Sequence, residues 1–364
     1  MKDNADGRHP ADGRHPADGR RPRDWIWDVI VCPECGNDIR LGENEQALVC
    51  TNDACGYRSE RTGRAYNLLP LEIDRFKQAE NDFRTEAIER YADAAKQMTR
   101  TGYTTYKLLN VLTDFFFTSE YLFFRDTFAK KYNLEGRGLE IGGATGQHSG
   151  FLKLFYPATE MVMSDVAPVN IALAEELADL VGFQTDYFVV CDAEQQPFRP
   201  GSFDFMFSSG MLHHLGDLQR ALRQGHCVLK PGGRWYIINE LSIGAIPRLY
   251  WNSRWGEKGK WAEVARIREN SYTLQEWKRF FTEGGTEEGT EEGFRIVDMY
   301  FHTNPAHKLR NWQRSAYYAF ISRLPDALLK MGIPCEVCFV LEKAQREKAQ
   351  REKAQREKAQ REKA

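Results

Sequence analysis

Four cysteines, Cys32, Cys35, Cys50 and Cys55, follow the spacing C-x2-C-x14-C-x4-C. Two such knuckles around a polar, hairpin-like stretch can gather four thiolates into a tetrahedron, the arrangement zinc favours. Gly36 and Gly56 each follow the second cysteine of a knuckle, where the chain must turn tightly. With every ligand supplied by protein the site is expected to be structural, and in so short a module the metal is expected to supply much of the folding energy. A second constellation starts at LEIGGATGQHSG, Leu139 to Gly150. A dinucleotide fingerprint read from Gly142 needs glycine at 144 and 147, where the chain has Ala144 and Gln147. A phosphate loop needs a following Lys-Ser/Thr, and there is none. Two further acids, Asp165 in MVMSDV and Asp192 in DYFVVCDA, close apolar runs as Glu140 nearly does, and His213 and His214 follow FDFMFSSG.

The elements that position these residues alternate from Leu134 onward. RGLEIGG, MVMSDV, DYFVVCDA, FDFMFSSG and WYIINE read as strands; HSGFLKLFY, IALAEELADLVG and LQRALRQGHCVL read as helices. This βα alternation predicts an α/β, doubly wound parallel sheet. Ligands of such sheets bind beyond the carboxyl ends of the strands. Pro231-Gly232-Gly233 reads as a turn before the fifth strand. CEVCFVLEK reads as a strand, so Cys335 and Cys338 point to opposite faces and are expected to be buried structural thiols. Cys191 and Cys227 also lie in apolar contexts.

The segments LEIGGATG, SDV, CDAEQQPF, SFDFMFSSGMLHHL and VLKPGG, in this order and spacing, resemble class I S-adenosylmethionine-dependent methyltransferases of the broad group with LHH after the fourth strand. The resemblance covers about residues 134–240 and implies a Rossmann-like methyltransferase fold, here with an N-terminal zinc ribbon and helical cap segments. It implies S-adenosyl-L-methionine as cofactor. Asp165 would take the ribose hydroxyls, Asp192 with Ala193 the adenine edge, and Glu140 would act near the methionine amino group through water. Gly142, Gly143 and Gly146 would let the backbone approach. Val166 and Ser208 complete the expected cofactor set, and His213 and His214 are candidates for base or acceptor contact. Ala144 stands where the family has its middle glycine; its methyl narrows the approach without closing it, provided φ there is negative.

The 364 residues suffice for one large domain and a smaller one. A net charge of −2 gives no basic field for nucleic acid or acidic membranes. No apolar run is long enough to span a bilayer. The N-terminus lacks the apolar core of a secretion signal, and eight cysteines in so long a chain point to a reducing cytosol rather than a disulfide scaffold. ADGRHP, TEEG and EKAQR recur in tandem at the start, around Thr286–Gly293 and from Glu342 to the end. The expected organisation is a disordered repeat tail over 1–24, a zinc ribbon over 25–70, a helical cap over 71–133, the methyltransferase domain over 134–341 with a cap insert over 241–293, and a charged tail over 342–364.

The acceptor is expected to be a small or lipid-like molecule. The insert bearing Tyr250, Trp251, Trp255, Trp261, Tyr272 and Trp277 is a candidate pocket wall, with Arg248, Arg254 and Lys258 available to an anion. The phenylalanine run DFFFTSEYLFF reads as ordinary helix packing. The ribbon followed by GRAYNLLP also resembles bacterial large-subunit rRNA guanine methyltransferases. However, Cys55 stands where those have histidine, and residues 25–70 carry four arginines against seven acids, the wrong sign for RNA phosphates. A non-catalytic binding module is the other alternative; the intact acids oppose it.

Overall fold

The computed structural model describes residues 24–42, 46–79, 81–86, 119–181, 185–244, 248–249, 268, 270–283, 293–302 and 335–344. The N-terminal repeat, the C-terminal repeat after Ala344, nearly all of the TEEG repeat, Tyr250, Trp251, Trp255, Trp261, Arg254 and Lys258 lie outside the described residues; Glu342, assigned to the tail by sequence, closes β11 instead.

Three short strands, β1 (Ile39–Leu41), β2 (Ala47–Cys50) and β3 (Arg58–Glu60), form an antiparallel sheet. The larger sheet has eight strands: β4 (Tyr66–Asn67), β5 (Arg137–Ile141), β6 (Glu160–Asp165), β7 (Tyr187–Val190), β8 (Phe203–Ser209), β9 (Leu229–Ser242), β10 (Arg295–His302) and β11 (Cys335–Glu342). Their order is β10-β11-β9-β8-β5-β6-β7-β4. Every pair from β9 to β4 is parallel; β11 runs antiparallel to both its neighbours. The order reverses at β5, between β6 and β8, so a cleft opens there at the carboxyl ends of the strands.

Among the described residues the sheet is covered by the helices α1 (Gln147–Phe155), α2 (Pro168–Val181), α3 (Leu218–Val228) and α4 (Leu274–Glu283) and by a helical stretch over residues 119–131 that precedes β5. The strands are apolar on both faces, and their alternation sorts the core. Val162 and Met206 pack with Leu218, Leu222, Trp277 and Phe281 on one face. Met161, Phe205 and Phe207 pack with Phe124, Phe128 and Phe151 on the other. Phe123 and Phe124 of the phenylalanine run are thus core, as ordinary helix packing requires. Helix α4 starts on a capping box: Thr273 Oγ1 accepts from the Glu276 N–H at 3.2 Å, and Glu276 Oε2 accepts from the Thr273 N–H at 2.7 Å.

Several expectations change. Pro231–Gly233 is an irregular stretch inside β9, not a turn before it. The pairing of β8 jumps from Phe203↔Leu229 to Phe205↔Arg234, and residues 232 and 233 bond to Lys343. Trp277 is fully buried, donates to the Leu241 carbonyl at 3.0 Å and stacks on Phe281, so it is core and no pocket wall. Arg248 pairs with Glu276 at 2.5 Å. Cys335 and Cys338 are buried, but Cys227 is exposed. Tyr66 and Asn67 belong to the large sheet rather than to the ribbon, and Ile26, Cys32, Ile39 and Leu48 share one continuous core with it. Among the described residues no helix is long and apolar enough to cross a membrane.

Candidate functional site

A cleft lies over the switch point, with about 960 Å³ of free space including its mouth. Its floor is made by the chain leaving three adjacent strands: Ile141, Gly142 and Ala144 after β5, Asp165 and Val166 at β6, and Asp192 and Ala193 after β7. The rim after β8 supplies Ser209, Gly210, Met211 and His214. The roof supplies Phe76, Lys77, Arg84 and Arg268 from the two segments outside the basic sheet.

The loop after β5 is held by Asp165. Its Oδ2 accepts from the Ala144 N–H at 2.9 Å, and its Oδ1 from the Ala167 N–H at 2.9 Å and Asn170 Nδ2 at 3.1 Å. Gly142 has φ +65° and Gly146 +73°, conformations suited to glycine. A Cβ on Gly142 would overlap Met211 Cγ. Ala144 departs from the sequence expectation: its φ is +47°, not negative. The left-handed conformation is held by the bond from the Ala144 N–H to Asp165.

Not every expected residue reaches the cleft. Gly143 donates to the Ser164 carbonyl at 2.9 Å and packs beneath the loop, and Gly146 packs against Ala174. Ser208 is fully buried and accepts from Trp235 Nε1 at 3.0 Å; strand alternation turns its neighbour Ser209 to the cleft instead. Glu140 is also buried under the loop, because Leu139 and Ile141 face the opposite side of β5. It accepts from Ser149 Oγ of α1 and lies 3.7 Å from His148 Nδ1.

Burial pushes the Glu140 carboxyl up to about 8, with the nearby Asp165 charge adding to the rise and Ser149 opposing it. The folded chain therefore holds this proton more tightly than the unfolded chain. That contribution to stability is complete below the ordinary carboxyl range and is lost as pH rises through about 8. Glu140→Gln, which cannot ionise, should flatten this loss. Urea unfolding should show the variant gaining on the intact chain between pH 5 and pH 9 by on the order of 4 kcal/mol, since one pKa unit is worth about 1.4 kcal/mol and the window spans about three of them. Parallel pH profiles for the two proteins would refute it.

The two histidines separate. His213 Nδ1 lies 2.9 Å from Glu240 Oε2, and Glu240 Oε1 accepts the N–H groups of Met211 and Leu212 at 3.0 and 2.9 Å. Glu240 is fully buried and so fixes the LHH turn from below. His214 lines the cleft and donates Nδ1–H to the Arg268 carbonyl at 2.8 Å. Sequence reasoning missed Glu240, although it closes WYIINE much as Asp165 closes MVMSDV. It also missed Lys77, whose ammonium lies 2.5 Å from Asp192 and 3.0 Å from Glu194. Arg268, stacked 4.2 Å over Phe76 and 3.5 Å from Asp74, was missed as well. These cations come from segments without a readable motif.

In the ribbon the sulfurs of Cys32, Cys35, Cys50 and Cys55 all lie within 4.8 Å of one another. The Cys32–Cys55 separation is 3.7 Å and Cys35–Cys50 is 3.5 Å. A tetrahedron with Zn–S bonds of about 2.3 Å has edges of about 3.8 Å, so the four sulfurs fit the ion. Gly36 and Gly56, with φ +73° and +69°, turn the two knuckles.

Residues 139–237 match the family described as a methyltransferase domain. The chain is 30% identical over 119 residues to the demethylmenaquinone methyltransferase of Thermus thermophilus, covering 31% of this chain and 54% of that protein. It is 31% identical over 102 residues to the ubiquinone/menaquinone biosynthesis C-methyltransferase UbiE of Pasteurella multocida, covering 28% of this chain and 38% of the relative. The chain thus spans about half the length, or less, of these curated relatives. Among solved structures, a Haemonchus contortus phosphoethanolamine N-methyltransferase 2 in complex with S-adenosyl-L-methionine aligns with TM-score 0.46 at 17% identity, covering 68% of this chain and 59% of that one.

Proposed function

We propose that the protein transfers a methyl group from S-adenosylmethionine to a small-molecule acceptor, and that its ribbon carries one structural zinc. The observation that carries the reading is the convergence of Asp165 and Asp192, at the ends of neighbouring parallel strands, on one cleft floored by the Gly142–Ala144 backbone. Such a floor offers acceptors to hydroxyls and an amine. The cofactor supplies an activated methyl on a sulfonium, a good leaving group. The chain's part is then mostly positioning. Asp165 would take ribose hydroxyls and Asp192 the adenine edge, while Met211 and His214 line the rim where an acceptor would enter. His214, which donates Nδ1–H to the Arg268 carbonyl, is the rim side chain of the type that serves as general base toward a hydroxyl or an activated carbon acid.

The curated relatives named as quinone-pathway C-methyltransferases favour an aromatic or quinone-like acceptor over RNA, and the acidic ribbon agrees. The test is transfer of label from methyl-labelled S-adenosylmethionine to a panel of hydroquinones, phenols, phosphobases and rRNA. Label is expected in an organic-extractable small molecule; label in RNA alone would overturn the acceptor class. For the metal, elemental analysis should give close to one zinc per chain, and Cys32→Ser with Cys35→Ser should remove most of it. Zinc content unchanged by that pair of substitutions would refute the four-cysteine site.

A further inference from the structure

We propose that the zinc knuckle is a positioning element for the cofactor cleft, acting chiefly through Gln195, so that metal loading of the ribbon sets the affinity for S-adenosylhomocysteine. The inference rests on the metal and cofactor readings above. Residues 192–199 run from the cleft to the ribbon. At one end Asp192, Ala193 and Glu194 line the cleft. The turn is closed by the Gln195 N–H, which donates to the Asp192 carbonyl at 3.0 Å. The Gln195 side chain then divides: Nε2 donates to the Pro33 carbonyl at 2.7 Å, and Oε1 accepts from Arg220 Nη2 of α3 at 2.9 Å. Farther along, the Val31 N–H donates to the Pro197 carbonyl at 2.9 Å, the Arg199 N–H to the Val29 carbonyl at 2.8 Å, and the Arg199 guanidinium pairs with Asp38.

A second path leads from the same knuckle to the same acid. The Glu34 carboxylate accepts from the Leu71 N–H at 2.7 Å, and that chain continues to Lys77, which bridges Asp192 and Glu194. Pro33 and Glu34 are the two residues between the first pair of cysteines. Their backbone is placed by whether Cys32 and Cys35 are held on a common ion. With the ion bound, Asp192 is fixed before the ligand arrives, and the ordering cost of binding falls. Without it, the Pro33 carbonyl and the Glu34 carboxylate lose their fixed positions, and ligand binding must order the turn itself. Couplings of this kind are typically about 5- to 150-fold.

The experiment is calorimetric titration of the full chain with S-adenosylhomocysteine, zinc-loaded and after chelation, with circular dichroism recorded on both. Chelation is expected to weaken binding about tenfold, while the dichroism of the large sheet and its helices persists. Gln195→Ala retains all four cysteines. Zinc-loaded, it should bind more weakly than the intact chain and show a smaller ratio between its loaded and chelated affinities. Gln195→Glu keeps an acceptor for Arg220 but cannot donate to Pro33, and its ratio of loaded to chelated affinity should shrink as that of the alanine variant does. A merely structural glutamine would leave that ratio unchanged. Equal affinity of the intact chain with and without zinc overturns the proposal. If chelation unfolds the chain, the loaded variants decide: intact-chain affinity in Gln195→Ala overturns it, and weakened affinity with zinc retained supports it. No binding by the zinc-loaded intact chain would instead refute the cofactor reading itself.

Discussion

Asp165→Ala is expected to weaken S-adenosylhomocysteine binding at least tenfold and to loosen the Gly142–Gly146 loop in the same step. The carboxylate already accepts the Ala144 and Ala167 N–H groups and Asn170 Nδ2. A carboxylate has about four acceptor sites, so ribose hydroxyls would share oxygens with the loop rather than find two vacant ones. Charge-assisted bonds of this type contribute roughly 1.5–3 kcal/mol each, and about 1.4 kcal/mol is one decade in affinity. Losing one bond to the ligand therefore accounts for the tenfold. The second effect follows from Ala144, whose left-handed backbone costs about 1–2 kcal/mol in a non-glycine residue and is held by the Asp165 oxygen. The large sheet should survive, because the core of β6 lies in Met161, Val162 and Met163. Calorimetry and faster hydrogen exchange at the Ala144 amide would register both effects. Unaltered binding by the variant would show that Asp165 is a loop residue only.

Glu240→Ala should be the most destabilising of the single substitutions considered. Removing the side chain leaves the Met211 and Leu212 N–H groups without their acceptor and deprives His213 Nδ1 of its partner, all beneath a fully buried position. Leaving buried N–H donors without an acceptor costs about 1–3 kcal/mol each. Glu240→Gln keeps an oxygen for the two N–H groups and lets the imidazole change tautomer, so it should cost less. Urea unfolding of both variants measures this. A loss below about 1 kcal/mol in the alanine variant would mean that the LHH turn does not depend on Glu240.

The centre of the sheet could be read from the sequence because β5 to β8 are short apolar runs bounded by turns, whereas the two-residue β4 carries no such signal, and the acids at the ends of MVMSDV and DYFVVCDA marked the cleft. The same alternation, followed one residue further, distinguishes Ser209 from Ser208 and turns Glu140 inward beneath α1. Reading motifs as blocks lost that phase. The sign of φ at Ala144 was not readable, because it depends on a carboxylate 21 residues away. Lys77 and Arg268 were invisible for a related reason: they reach the cleft by tertiary placement of cap segments, with no periodicity that points there. Tryptophan content suggested a pocket wall at Trp277, where the structure uses the ring for core. The cysteine spacing announced the knuckle, but the stapling of residues 29–38 to residues 195–199 is carried by backbone groups and Gln195, to which no motif is attached.

The central claim is that the cleft beyond β5, β6 and β7 seats S-adenosylmethionine. Calorimetric titration of the intact, zinc-loaded chain with S-adenosylhomocysteine, with NAD as control ligand, tests it most directly. The account predicts one saturable site for S-adenosylhomocysteine and none for NAD, since the loop has Ala144 and Gln147 where a dinucleotide fingerprint has glycine. Absence of S-adenosylhomocysteine binding, or equal binding of NAD, would contradict it.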